Sequence, residues 1–244
     1  MINLSMSGGG QFVDRSAVAL VATPQGTESW HPVPHIDVID TVTEVVKAHN
    51  WTIMEEQYGL ARDGQKLFGV IRLNKSSSLE WSRCIGLRNS HDRSFAVGLS
   101  AGINVMVCSN LAFGGTAVLK RRHTSRIELA ELVNRAVDEL EDQFLPLENV
   151  CEDLKLIYLR NDDEARSVIV KTAELGAINS SDILPVYQEF KSPHHDAFAE
   201  PTRWSLLNAM TETVKKYTPQ RVDRAYCALN TAFGLDGRKP LLWS

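Results

Sequence analysis

Between His35 and His49, Ile36, Ile39, Val42 and Val46 recur at helical spacing, with Pro34 placed to start a helix and Asn50 to end it. The spacing predicts an amphipathic helix. The period then shortens. Residues 52–60 and 66–73 read as strands, and Arg62-Asp63-Gly64 between them carries the Asp-Gly pair of a hairpin turn. Strand-like runs continue at 81–87, 94–99 and 104–108, with a shorter one at 117–119; Gly98 and Gly102 interrupt them and predict bulges or a turn. From Ser125 the pattern is helical again. Ile127, Leu129, Ala130, Val133, Ala136, Val137, Leu140 and Phe144 form a broad stripe, with Ser125 as its cap, Glu128 in the first turn and Pro146 as its end or a kink. Shorter helices are expected at 147–159, 162–175, 181–190, 203–217 and 220–233. The apolar tail Leu241, Leu242 and Trp243 is expected to dock on the body.

These elements predict an α+β fold: an antiparallel β-meander of about five strands flanked by helices, with a helical C-terminal half. Residues 1–16, which are polar and contain Gly8, Gly9 and Gly10, read as a flexible arm. A phosphate-gripping glycine loop would need a strand before it and a helix after it, and neither is expected there. Residues 17–146 then form the α+β core and 147–244 a helical region packed on it, together one domain.

Composition narrows the function classes. The chain has 244 residues, 43% hydrophobic and 23% charged, which are ordinary globular values. A formal charge of −4 provides no global attraction to a polyanion, so binding to nucleic acid has to come from a local patch. Cys84, Cys108, Cys151 and Cys227 include no CxxC pair, which favours reduced thiols over a zinc site or disulfide framework. The start lacks the apolar core of a signal peptide, and no apolar run approaches the roughly 18 residues needed to span a bilayer. A soluble, cytoplasmic protein is the expectation.

Candidate chemistry concentrates at RNSHDR, residues 88–93. Asn89, Ser90, His91 and Asp92 lie between two strand runs and are expected in an exposed turn, where such residues cap backbone amides. Neighbouring turn residues point in divergent directions, so a contiguous Ser-His-Asp does not predict a catalytic triad. His91, Cys108 and His123, with Asp92, are residue types that a transition metal prefers, but they lack close pair spacing. No metal or cofactor is assigned from them. Arg88, Arg93, Lys120, Arg121, Arg122 and Arg126 form the local basic concentration and are the candidate nucleic-acid-binding residues. His194 and His195 sit together in a polar loop and are read as incidental.

The segments PHIDVID (34–40), ARDGQKLFGVIRL (61–73), LRNSHDRSFAVGLSAGINVMVCSNL (87–111) and RRHTSRI (121–127) resemble the DUF932 family of phage- and plasmid-encoded proteins of unknown function. RWSLLNAMTETVKK and RAYCALN are similar to that family's C-terminal part, so the resemblance covers about residues 30–233. It implies a mobile-element setting and carries over no catalytic residue. The positions matching its signature are Arg88, Asn89, Ser90, His91, Asp92, Cys108, Asn110, His123 and Thr124. The order helix, meander with an Asp-Gly hairpin, long helix also resembles that of the Rad52-type single-strand annealing proteins, an analogy of fold order. The leading expectation is a non-enzymatic accessory protein that binds single-stranded nucleic acid or a host nucleic-acid-processing protein, away from membranes and compatible with a homo-oligomer. Two alternatives stand beside it: a metal-assisted hydrolase or nuclease using His91, Asp92 and His123, and an acidic inhibitor of a host defence system.

Overall fold

The computed structural model describes residues 10–74, 81–105, 111–121, 129–217 and 219–243. Within them the chain runs β1 (Gln11–Val13), α1 (Arg15–Ala19), α2 (His35–Ala48), β2 (Ile53–Ala61), β3 (Lys66–Leu73), β4 (Trp81–Ser90), β5 (Val97–Val105) and β6 (Leu111–Arg121). The helices α3 (Leu129–Leu156), α4 (Asp162–Glu174), α5 (Ile183–Lys191), α6 (Arg203–Val214) and α7 (Pro219–Phe233) follow. The strands make one antiparallel sheet in sequence order, β1 to β6. This is the α+β meander with a helical second half that the hydrophobic pattern predicts.

Local chemistry explains the agreements. Asn50 takes the left-handed conformation (φ 59°), which ends α2 and lets the Trp51 amide reach back to the Val46 carbonyl at 3.1 Å. Arg62, Asp63 and Gly64 all have positive φ in the turn between β2 and β3. A β-carbon on Gly64 would lie 3.3 Å from Val21 Cγ1, so glycine meets both the conformation and the close approach.

The differences are also physical. Gln11–Val13, expected within a flexible arm, pairs with Leu60, Gly59 and Tyr58 and adds a sixth strand at the sheet edge. Asp14 caps α1 directly after it, and Arg15 reaches Thr43 of α2 and Glu56 of β2, so this part of the N-terminus is tied down. The expected runs 94–99 and 104–108 are largely one strand, β5. Its glycines mark ladder irregularities, with register shifts against β6 between Leu99 and Ser100 and between Ser100 and Gly102. β6 is longer than the expected 117–119, because its first half, LAFGGT, lacks the alternation that betrays a strand.

Alternation gives the sheet two unlike faces. Tyr58, Leu67, Ile71, Leu73, Ile85, Leu87, Val97, Leu99 and Ala101 are buried against Val38, Ile39, Val42 and Val46 of α2 and the first half of α3. That face is tightly filled: a β-carbon on Gly69 would meet Tyr58 and Leu87 at 2.8–2.9 Å. Lys66, Phe68, Val70 and Arg72 of β3, Cys84, Gly86, Arg88 and Ser90 of β4, and Gly98, Ser100 and Gly102 of β5 alternate to the other face. Arg72 is paired there with Glu55 at 3.0 Å.

The 28-residue α3 serves two cores. Val133, Ala136, Val137, Leu140 and Phe144 belong to the sheet core, whereas Leu147, Cys151 and Leu154 belong to a second core built with α4, α5, α6 and α7, which Trp81 and Ile103 of the sheet also enter. Pro146, expected to end or kink the helix, lies inside it at the changeover. A mid-helix proline costs about 3 kcal/mol, but burying each large apolar side chain contributes about 1.5–3 kcal/mol. Two such residues, Leu147 and Leu154, follow together with the buried Cys151, so the helix continues. In the second core α6 is buried on nearly all sides rather than on one stripe. Its polar residues bond locally, with Asn208 Nδ2 donating to the Trp204 carbonyl at 2.9 Å and Thr211 Oγ1 to that of Asn208 at 3.0 Å. The tail docks as expected: Leu242 is buried, and Trp243 packs 5.3 Å from Phe233 with the Arg203 guanidinium 3.8 Å over its ring.

Beside Pro146, Arg83 of β4 makes a bidentate ion pair with Glu148, Nε to Oε1 at 2.9 Å and Nη2 to Oε2 at 2.8 Å, and lies on the Phe144 ring. The Glu148 side chain is 3% exposed. Removing one partner strands a buried charge, so Glu148→Ala is expected to destabilise the protein by about 3–5 kcal/mol. Replacing both members, as Arg83→Met with Glu148→Leu, should recover most of that loss in urea unfolding. Equal damage from the single and double variants would contradict this account.

Candidate functional site

β3 extends to Lys66, which offers β4 ladder partners further than its apolar run suggests. Arg88, Asn89 and Ser90 therefore pair with Phe68, Leu67 and Lys66, and the His91 amide continues the ladder to the Gln65 carbonyl at 2.8 Å. This corrects the expectation of an exposed polar turn at 89–92. Asn89 and Ser90 are fully buried and His91 is 3% exposed. The turn proper starts at Asp92, whose Oδ1 accepts from the Ser94 amide, and passes through Arg93 at φ 62°.

Burial of these polar groups is compensated in part by specific bonds, with Asn89 Oδ1 and His91 Nδ1 buried and without a hydrogen-bond partner among the described residues. Asn89 Nδ2 donates both to the Val33 carbonyl, at 2.8 Å, and to His35 Nδ1, at 2.9 Å. His35 Nε2 then faces the Gly64 carbonyl at 2.9 Å, which fixes it as the protonated nitrogen of a neutral ring. His91 Nε2 donates to the same Val33 carbonyl at 3.0 Å, and the two imidazoles stack at 3.7 Å and 3°. The motif thus clamps the segment before α2, and the start of α2, onto the end of the sheet. Ser90, alternating to the other face, donates to the Phe95 carbonyl at 2.7 Å and accepts from the Phe95 amide.

These partners account for the candidate catalytic types. Among the described residues Ser90, His91 and Asp92 share no hydrogen bond with one another; Asp92 instead faces Lys66 at 3.6 Å and Arg62 at 3.9 Å. Desolvation pushes the Asp92 carboxyl up, but the Ser94 bonds and the two cations outweigh it and hold the group below the usual carboxylate range. Burial pushes the His91 imidazole down, partly offset by its bond to Val33. Among the described residues no three His, Cys, Asp or Glu side chains could hold a metal ion together. Cys108, Asn110, Arg122, His123, Thr124 and Arg126 lie outside the described residues.

The basic candidates divide into two groups. Arg88 lies on the face of the sheet opposite α2, where Val70 and Cys84 are buried, its guanidinium 5.2 Å from the Phe95 ring centroid; the buried Lys66 has its Nζ 5.4 Å from the same ring, and Phe68 lies beside it at 5.5 Å. Cross-strand register sets Gly59, Phe68, Arg88, Gly98 and Lys120 in one row across five strands, with Arg121 opposite Val97 in the next. Arg93 belongs elsewhere, 4.5 Å over the Trp30 ring. Reading the sequence alone misses Lys66, Phe68, Val33 and His35. Phe68 had a signal: it is the aromatic at a position that alternation assigns to the polar face of β3.

The residues of this clamp all fall in a stretch matched by one family model, "Domain of unknown function (DUF932)", over residues 26–233. The chain belongs to the DUF932 family. No curated protein and no solved structure matches it. In this DUF932 chain the match begins just before Trp30 and ends with α7, so it takes in both cores as well as the clamp. Among the described residues no helix is long and apolar enough to cross a membrane.

Asn89→Ala leaves the His35 Nδ1 and the Val33 carbonyl without their shared donor, and is expected to cost about 1–3 kcal/mol. His194→Ala, at an ion pair with Glu189 whose histidine is 80% exposed, should change stability by less than about 1 kcal/mol. Urea denaturation of the two variants checks the contrast, and equal effects would refute a clamp role for Asn89.

Proposed function

We propose that this DUF932 protein is a non-enzymatic accessory protein of a mobile genetic element that binds single-stranded nucleic acid at the face of its sheet opposite α2. The observation that carries the reading is the half-buried Phe68–Phe95 pair with the Arg88 guanidinium over Phe95, Phe68 and Arg88 lying in the same cross-strand row as Lys120, while the buried Lys66 beside them is paired with Asp92. Single-strand binders combine aromatic rings on which bases stack with cations that meet phosphates. In a chain of net charge −4 such a local grouping is what polyanion binding requires. The mobile-element setting comes from the family resemblance, and the order of elements shared with Rad52-type annealing proteins is compatible with the same activity.

The test is titration of a fluorescent oligodeoxythymidine, the matching RNA and a duplex at about 50 and about 200 mM salt. Single strands are expected to bind more tightly than duplex and to weaken at the higher salt. Phe95→Leu, which keeps an apolar side chain but removes the stacking surface, should weaken binding by about 5- to 150-fold, the range given by about 1–3 kcal/mol per stacked base. Arg88→Ala should lower the salt slope by about one phosphate contact. Absence of binding at low salt would overturn the reading. Capture of a host nucleic-acid-processing protein without any nucleic-acid affinity would point instead to a protein partner.

A further inference from the structure

The segment 21–34, between α1 and α2, has no helix or strand of its own beyond an isolated bridge in which Thr27 and Trp30 exchange backbone hydrogen bonds. Residues 25–29 are exposed, so the segment is a strap laid over the end of the sheet. It is tied down near its C-terminal end. The Val33 carbonyl takes hydrogen bonds from both Asn89 and His91, and the Trp30 ring lies under Arg93. We propose that the stacked His35–His91 pair is a proton-operated latch: it holds the strap on the sheet while both rings are neutral and releases it when His91 takes up a proton.

Geometry carries the argument. The His91 Nδ1 atom is buried and has no hydrogen-bond partner among the described residues. A second N–H placed there by protonation would be a buried donor with no acceptor, and its charge would lie 3.7 Å from the imidazole of His35. His35 from α2 is the titratable group stacked on His91. Lys66 from β3 and Arg62 from the β2–β3 turn meet the adjacent Asp92, and Arg93 of the same loop lies over Trp30, so the nearby carboxylate is already engaged by two cations. The imidazolium gains little compensation there. Turning the ring out into water relieves the charge, breaks the stack and removes the His91 bond to Val33.

The sign follows from burial. The closed form disfavours the proton relative to an open form in which His91 titrates near about 6.5, so the preference for closure is greatest above that value and weakens as pH falls below it. The strap also holds Arg93 against Trp30, so opening would free one basic residue at the margin of the proposed binding face. The latch itself does not depend on that function, and its test uses no nucleic acid.

The experiment is amide hydrogen exchange by NMR on the full chain at about pH 7.5 and about pH 5.5, corrected for intrinsic rates, with the His91 ring followed in the same titration. Protection at the Thr27 and Trp30 amides is expected to fall severalfold at the lower pH, up to a ceiling of about tenfold, which is the most that one proton on a group titrating near about 6.5 in the open form can contribute between these pH values. Amides of α3 and α6 should hold theirs, and the strap signals should move with the His91 ring. His91→Gln, which can still donate to Val33 but does not titrate, should abolish the pH dependence. Unchanged strap protection in the wild type, an equal loss in α6, a strap midpoint different from that of His91, or pH dependence retained in His91→Gln would each overturn the latch. If His91→Gln does not fold, the wild-type comparison of strap and ring midpoints still decides.

Discussion

A helix of 28 residues that must serve two hydrophobic cores imposes the main constraint on this molecule. α3 leaves the sheet core at Phe144 and enters the helical core at Leu147, and Pro146 between them removes a backbone donor at the changeover. Arg83 binds Glu148 there with two hydrogen bonds, in surroundings where neither charge is well hydrated. The pair fixes the helix against β4 on both sides of the proline. Trp81 and Ile103 carry the sheet into the second core from the same end, and α6 fills its centre.

With α2 and α3 packed on one side of the sheet, the other side carries charged side chains, Phe68, serines and glycines around the buried Val70 and Cys84. That division gives the family-marking residues at the end of β4 two separate roles. Asn89 faces the helices and, with His91 beyond it, binds the strap and the first residue of α2; Ser90 and Arg88 alternate to the other side and meet Phe95. A stretch that looks like one polar cluster in one dimension is a clamp and a part of a surface in three.

The legible parts of the fold were those with a strong local signal. α2 has its stripe, its proline and its asparagine; β3 has alternation up to an Asp-Gly turn; α7 begins at a proline. The illegible parts depended on partners distant in sequence. β1 is a strand because β2 presents an edge opposite it, and β4 continues through Asn89 and Ser90 because β3 is long enough to pair with them. Of the candidate site, Arg88 and Phe95 were visible as residue types. Their grouping with Phe68 and Lys66 was not, because a hairpin and the 91–96 turn are needed to bring them together.

Periodicity and turn chemistry by themselves determined the fold class and most of the order of elements, because helix and strand periods and the φ requirements of Asn50 and Gly64 act within a few residues, and the quoted sequence motifs determined the family. What only the tertiary structure decided was the state of the RNSHD residues. Ser, His and Asp are equally at home in a solvated turn and in a buried network, and the choice depends on whether acceptors and donors arrive from elsewhere to replace water. Here Val33, His35, Gly64 and Phe95 supply them, from 5 to 58 positions away in the chain.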